Sequence, residues 1–288
     1  MNAVSSASSS PPNPPDDVRV DHTKPYIWKD QVRIDFQIWP ISKIVSLKSE
    51  TVLAAWGKLH AASLEWYKSN RNIRTELKGL DANHMGEEFY PDRKLIASGH
   101  PNRGLEKHTF RNLLWIRCPL IVDLSNHPPQ YVPTCKDRPG GSDALRIELA
   151  EEKNKGSWKE YNYNMFVAQS SRVFERIHVS DWPDGYIIPI ATLDELCVRI
   201  ENSSQPMVFF HCDGGYGRTG ILITALIIRR RIREGMLTQS NFFEALHRLL
   251  FRLREERSNF FVTNGVQFEL LCHYGDVLLL RKAETGKL

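Results

Sequence analysis

A cysteine and an arginine six residues apart, Cys212 and Arg218, stand in the run His211-Cys212-Asp213-Gly214-Gly215-Tyr216-Gly217-Arg218-Thr219-Gly220. The thiolate is the nucleophilic form of cysteine. A guanidinium presents a planar fork that matches two oxygens of one phosphate. Glycines between the two reach positive φ without a Cβ penalty, so consecutive backbone N–H groups can converge on a single anion. The combination suits a thiolate attacking phosphorus while amides and arginine hold the phosphate oxygens. The bland alternative is a structural cysteine beside a tight turn. The concurrence of His, Cys, spaced glycines, Arg and Thr speaks against it.

Such a cradle needs a strand to deliver the thiol and a helix to point its amino end at the anion. The flanking residues provide both. Pro206-Met207-Val208-Phe209-Phe210 reads as a strand, and the apolar run from Ile221 to Ile228 reads as a helix continuing to Arg233. Unpaired N–H groups and the positive dipole end of that helix favour a bound anion and a thiolate. The Arg229-Arg230-Arg231 end is a basic last turn, which the same dipole favours.

The stretch from His211 to Gly220 resembles the signature of the protein tyrosine phosphatase superfamily, matching every fixed position of H-C-x-x-G-x-x-R-[ST]-G. The resemblance, which spans residues ~50 to 280, implies one α/β domain. That domain is a twisted mixed sheet flanked by helices on both sides, with the cradle at the carboxyl edge of the sheet. It implies a cysteine-dependent phosphatase that works through a cysteinyl-phosphate, with no metal and no cofactor. In that scheme Cys212 attacks phosphorus, and Arg218 with the N–H groups of Asp213, Gly214, Gly215, Tyr216 and Gly217 binds the equatorial oxygens. Thr219 stabilises the departing thiolate, and His211 shapes the cradle and tunes the thiol.

Upstream lies Asp181-Trp182-Pro183-Asp184-Gly185. Alone it is an ordinary turn, but a phenolate leaving at neutral pH needs a proton from a nearby acid. The family's mobile acid loop reads Trp-Pro-Asp, which assigns the general acid to Asp184. Here Gly185 follows the aspartate at once, where the family usually has an aromatic residue or histidine. Downstream, the stretch from Arg254 to Phe268 resembles the loop and last helix whose glutamine orients the hydrolytic water, and Gln267 is the matching position.

Other resemblances are looser. Residues 94–101 look like a family strand without its tyrosine. The cluster 68–74 stands where a pocket-depth tyrosine is expected, and Ile73 or a neighbour is there instead. The family supports its signature arginine with a glutamate from the region of residues 126–160; Glu148, Glu151 and Glu152 are the candidates, with no means of choosing among them. Lipid-directed members place lysines inside the cradle, whereas the inner positions here are Asp213 and Tyr216. The expected substrate is therefore phosphotyrosine in proteins. An inositol-phosphate or phosphoinositide substrate is the alternative, favoured by the missing tyrosine. A dead phosphoprotein-binding module is the reading from another class, and no catalytic position is lost to support it.

The remaining residues set bounds. A net charge of +4 suits an anionic substrate, and no basic stripe with interleaved aromatics points to nucleic acid. Five scattered cysteines fit free thiols in a reducing, cytoplasmic compartment rather than a disulfide framework or zinc site. No apolar run approaches the ~18 residues of a membrane span. Residues 1–22 are Ser/Pro-rich and are expected to be a disordered tail, with the catalytic domain over 23–288. Such a start also occurs in bacterial effectors exported without a cleaved signal and injected into a host cell. A monomer is the expected state.

The coarse reading places further helices at about Glu50 to Tyr67, His108 to Trp115 and Phe242 to Leu253. It places a buried strand over Pro119 to Leu124 and antiparallel strands over Phe166 to Val179.

Overall fold

Seven strands form one sheet in the computed structural model, which describes residues 54, 56–61, 81–101, 105–117, 119–127, 129, 131–132, 145–167 and 169–288. In chain order they are β1 (Ala82–Met85), β2 (Lys94–Ser98), β3 (Leu120–Asp123), β4 (Leu145–Asn154), β5 (Lys159–Val167), β6 (Ser170–His178) and β7 (Met207–His211). Their order across the sheet is β1-β2-β7-β3-β6-β5-β4. The four central strands β2, β7, β3 and β6 run parallel, and β1, β5 and β4 pair antiparallel at the edges. The expected tail over 1–22, most of the expected helix over 50–67 and the basic cluster 68–74 lie outside the described residues; of that helix, residues 54 and 56–61 are helical.

Both faces of the sheet are covered at its centre, which is why β7 and β3 read as continuous apolar runs. Val208 and Phe210 of β7 and Leu120 and Val122 of β3 belong to one core. That core is filled by the helices α2 (Ile190–Glu201), α3 (Gly217–Arg233), α4 (Phe242–Glu256) and α5 (Gly265–Thr285). Phe209, Ile121 and Ile96 face the other way, onto Phe110 and Leu114 of α1 (Leu105–Arg117). Each such side chain contributes roughly 1.5–3 kcal/mol on full burial. In α4 the buried Leu246, Leu249, Leu250 and Leu253 follow the i, i+3, i+4, i+7 stripe of a helix with one face in the core. A mixed sheet with helices on both faces is the architecture expected from the sequence.

The parallel strands end in register. Ser98 of β2 lies opposite His211 of β7, His211 opposite Asp123 of β3, and Asp123 opposite His178 of β6. A row of polar residues thus crosses the carboxyl ends of the parallel strands. In open α/β folds this edge is where ligands bind, and the segments leaving these four strands build the site.

Candidate active site

β7 carries the chain into the cradle. Cys212 follows its last residue and is 1% exposed, and Gly217 opens α3. The helix begins four residues earlier than its apolar run suggests, because the closing residues of the cradle already form its first turn. The Gly215 N–H donates to Cys212 Sγ at 3.2 Å. Gly215 is there for two reasons: its φ is +73°, and a Cβ would overlap the Ser98 carbonyl and lie 2.7 Å from Gly99 N. The cradle is pinned from three sides, by His100 N to Asp213 O (3.1 Å), Leu124 N to His211 O (2.8 Å) and Val262 N to Tyr216 O (3.2 Å).

Arg218 is fully buried, and its guanidinium is fixed by an unexpected set of groups. Nη1 donates to the carbonyls of Leu124 (2.7 Å) and Trp182 (3.0 Å) and to Asn126 Oδ1 (3.2 Å). Nη2 donates to Asp213 Oδ2 at 2.6 Å and lies 3.3 Å from Asp184 Oδ1. The expected glutamate support is corrected here. Glu148 pairs with Arg146, Glu151 with Lys153 and Glu152 with Lys159, all on the solvent side of the β4–β5 hairpin. The carboxylate on Arg218 comes from the cradle itself, at Asp213, with His127 Nε2 3.9 Å from its other oxygen.

The loop that carries Trp182-Pro183-Asp184 docks over the same arginine. Trp182 is fully buried and its indole N–H donates to Tyr186 O at 2.9 Å, while its own carbonyl accepts from Arg218. Asp184 is 70% exposed at the side chain, so its carboxyl stays open to substrate and solvent while facing Arg218. Gly185 takes φ +76°, a conformation an aromatic residue there would hold only with strain. Asp181 is exposed and takes a hydrogen bond from Ser180, away from these contacts.

Gln267 and Thr219 are fully buried at the cradle. Gln267 Oε1 accepts from Thr263 N at 2.8 Å, and a Cβ on Gly217 would lie 3.2 Å from its Nε2. Arg218 Nε, Thr219 Oγ1 and Gln267 Nε2 are buried without a protein partner among the described residues. Buried polar atoms are satisfied almost everywhere in native proteins, and a bound oxyanion with a hydrolytic water would satisfy these three. Gly214 and Tyr216 complete the cradle. The Tyr216 ring lies under the Arg257 guanidinium, whose Nη2 reaches Gly214 O at 3.5 Å.

Beneath the cradle lies a buried polar network that the sequence did not reveal. His211 Nε2 and the Tyr131 hydroxyl share a hydrogen bond of 2.6 Å. His211 Nδ1 is 3.6 Å from Asp123, and Asp123 is bridged by Arg176 at 2.7 Å and by Ser125 Oγ at 2.6 Å. Burial pushes the His211 ring down to about 3 against the opposing pull of Asp123, so it is neutral at neutral pH. Burial raises the Asp123 carboxyl, but its neighbours His211, Arg176 and His178 and the Ser125 hydroxyl together hold the group well below the usual carboxylate range. His100, Asp123 and His211 bring ligand-type atoms within 4.8 Å of one another, yet Arg176 already supplies the positive charge that Asp123 requires. One signal was available: an aspartate closing the apolar run Leu120-Ile121-Val122 must find a buried partner. Cys197 and Cys272 are free and buried in α2 and α5, and burial pushes both thiols up.

The chain matches the protein-tyrosine phosphatase family over residues 73–274, more than half its length. The secreted effector protein SptP of Salmonella typhi is 27% identical over 139 residues, which is 43% of this chain and 25% of SptP. The SptP of Salmonella paratyphi A matches equally. The chain thus spans about a quarter of the length of these relatives. Among solved structures, PTPN18 in complex with HER2 phosphopeptides superposes with a TM-score of 0.66 at 16% identity, covering 84% of this chain and 97% of that one. The catalytic domain of human PTPN18 gives 0.61 at 17% identity, covering 80% and 96%. The phosphatase TcPTP1 of Trypanosoma cruzi gives 0.61 at 18%, covering 85% and 96%. At these identities the superpositions speak for the fold, and the sequence match carries the family. The chain belongs to the protein-tyrosine phosphatase family.

Proposed function

We propose that this chain hydrolyses phosphotyrosine in proteins through a cysteinyl-phosphate on Cys212. The observation that carries the reading is the convergence at one helix start of a buried thiol under a backbone N–H, a fully buried arginine and the carboxyl of Asp184 3.3 Å from it. In the first step the Cys212 thiolate forms a bond to phosphorus as the bond to the tyrosyl oxygen breaks, and Asp184 gives that oxygen its proton. Arg218 and the amides of Asp213 to Arg218 stabilise the charge on the three equatorial oxygens, where preorganised donors act most strongly. In the second step water attacks phosphorus and yields its proton to Asp184. The sulfur–phosphorus bond breaks, phosphate departs and the thiolate is restored. Gln267 orients the water through its amide, Thr219 stabilises the leaving thiolate, and neutral His211 holds the strand end against Tyr131.

Asp213 supports a phosphomonoester on a protein over a polyanion. Its carboxylate sits 2.6 Å from the arginine that binds the phosphate, so further phosphates on an inositol ring would meet like charge. The structural relative PTPN18 is solved in complex with HER2 phosphopeptides, which is in keeping with that substrate class. The similarity to a secreted effector supports, for this chain too, action in the reducing cytoplasm of a host cell. No helix among the described residues is long and apolar enough to cross a membrane.

Turnover of the purified chain on phosphotyrosine peptides, phosphoserine peptides and a panel of inositol phosphates tests the substrate class. The expected result is a kcat/KM for phosphotyrosine peptides at least ~100-fold above that for the other two, a difference of about 2.7 kcal/mol in transition-state stabilisation. A preference for inositol phosphates would transfer the same chemistry to the alternative substrate.

A further inference from the structure

Asn264 bridges two elements of the site. Its side-chain oxygen accepts from Gln267 N at 3.0 Å, capping α5, while its side-chain N–H donates to the Gly185 carbonyl at 3.0 Å, 79 residues away in the chain. The capping bond alone would be served by Ser, Thr or Asp as well as by Asn. The second bond needs an amide, because only Asn among these offers an acceptor and two donors on a side chain of this length. The residue it reaches directly follows Asp184.

We propose that Asn264 is a positioning residue for the acid loop, a latch that holds Gly185, and with it Asp184, over the cradle. The turn also closes on itself, with Tyr186 O accepting from the Trp182 indole N–H at 2.9 Å and Tyr186 N donating to Pro183 O at 3.3 Å, but a Cβ on Gly185 would meet nothing within 4 Å, and Asp184 is largely exposed. On its other side Trp182 anchors the loop through its buried ring and its carbonyl on Arg218. The loop is therefore tied before the acid by Trp182 and after it by Asn264. Because the same asparagine caps the helix that carries Gln267, the proton donor of the first step and the water-orienting amide of the second share one support. The glycine after the acid has no side chain of its own to pack the loop down, so the bond from Asn264 ties that residue to the helix start. The inference rests on the reading of Asp184 as the general acid.

The test compares Asn264→Asp and Asn264→Ser with Asp184→Ala on a series of aryl phosphates of graded leaving-group pKa. Both Asn264 variants keep a capping acceptor, so their melting temperatures should stay near that of the parent chain; aspartate has no donor for Gly185, and serine has only one O–H on a shorter side chain whose single oxygen must also serve the cap. The quantity read is kcat/KM, which reports formation of the cysteinyl-phosphate. For poor leaving groups both should lose about three- to tenfold, the worth of one neutral hydrogen bond. For good leaving groups, which depart without a proton, the change should stay within about twofold. Asp184→Ala should show the same selectivity in stronger form. If Asp184→Ala is selective and the Asn264 variants match the parent, the latch is refuted while the acid assignment stands. If Asp184→Ala shows no selectivity, the acid assignment fails and the latch fails with it. Loss of activity in equal measure for all leaving groups, or a lowered melting temperature in both Asn264 variants, would reduce Asn264 to a helix cap.

Discussion

Cys212→Ser is expected to remove turnover by a factor on the order of 10⁴ or more while phosphopeptide binding persists. A serine hydroxyl is not ionised at neutral pH, and no base adjoins position 212 to take its proton: the neighbouring His211 is neutral but is turned to Tyr131 and Asp123. The substitution keeps the volume of a fully buried position and leaves an acceptor for the Gly215 N–H, so the cradle should survive. Phosphate binding then continues through Arg218 and the amides. Titration of the variant with a phosphotyrosine peptide should give a dissociation constant close to the parent's KM. Substantial residual phosphatase activity in Cys212→Ser would remove the thiolate from the reaction.

Arg218→Lys should be nearly as damaging as Arg218→Ala, with a loss of about 100-fold or more in kcat/KM, or ~3 kcal/mol. The guanidinium divides its donors: Nη1 serves Leu124, Asn126 and Trp182, while Nη2 faces Asp213 and Asp184 and Nε has no protein partner among the described residues. An ammonium cannot both hold the carbonyl of Trp182 and present two parallel donors to phosphate. The loop that carries Asp184 would therefore lose its anchor together with the oxyanion contact. The damage should fall on kcat as well as KM, because the lost bonds strengthen in the transition state. In Arg218→Ala the Asp213 carboxylate would also lose its partner, which adds repulsion against the phosphate. Melting curves of both variants separate catalysis from folding, since removing the buried guanidinium leaves the carbonyls of Leu124 and Trp182 without a donor, at roughly 1–3 kcal/mol each. Near-normal kcat/KM in Arg218→Lys would show that a single positive charge is enough.

The cradle is legible in the sequence because its chemistry is local. A thiol and a guanidinium must reach the same phosphate, and six residues of glycine-rich turn before a helix bring them there. The loop over Arg218 is legible by its short Trp-Pro-Asp run, and α5 by its register after the matching loop. Elements can be read for similar reasons: the buried strand over Pro119 to Leu124 contains β3, and the apolar stripe from Phe242 to Leu253 is α4 short of its last turn. What stays hidden depends on contacts between distant residues. Asp123 meets Arg176 across 53 positions and His211 meets Tyr131 across 80, and no period or spacing announces either pair. The hairpin glutamates expected to support Arg218 do not reach it, because β4 is the sheet's edge strand and turns them to solvent, where lysine and arginine neighbours take them. The charge of Asp213 bears on substrate choice in the sequence, but its grip on Arg218 becomes visible only once the turn places both side chains on one side. Asn264 gives no signal of its own, because a helix cap explains an asparagine fully until its second bond is seen.

The central claim is that phosphate passes through the sulfur of Cys212. Rapid acid quenching of the chain during turnover of an aryl phosphate, followed by peptide mapping with mass spectrometry, tests it most directly. The account predicts phosphate on the peptide that contains Cys212, formed within the first turnover and absent from Cys212→Ser. Phosphate on a different side chain, or a steady turnover during which no phosphorylated peptide forms at any quench time, would contradict it.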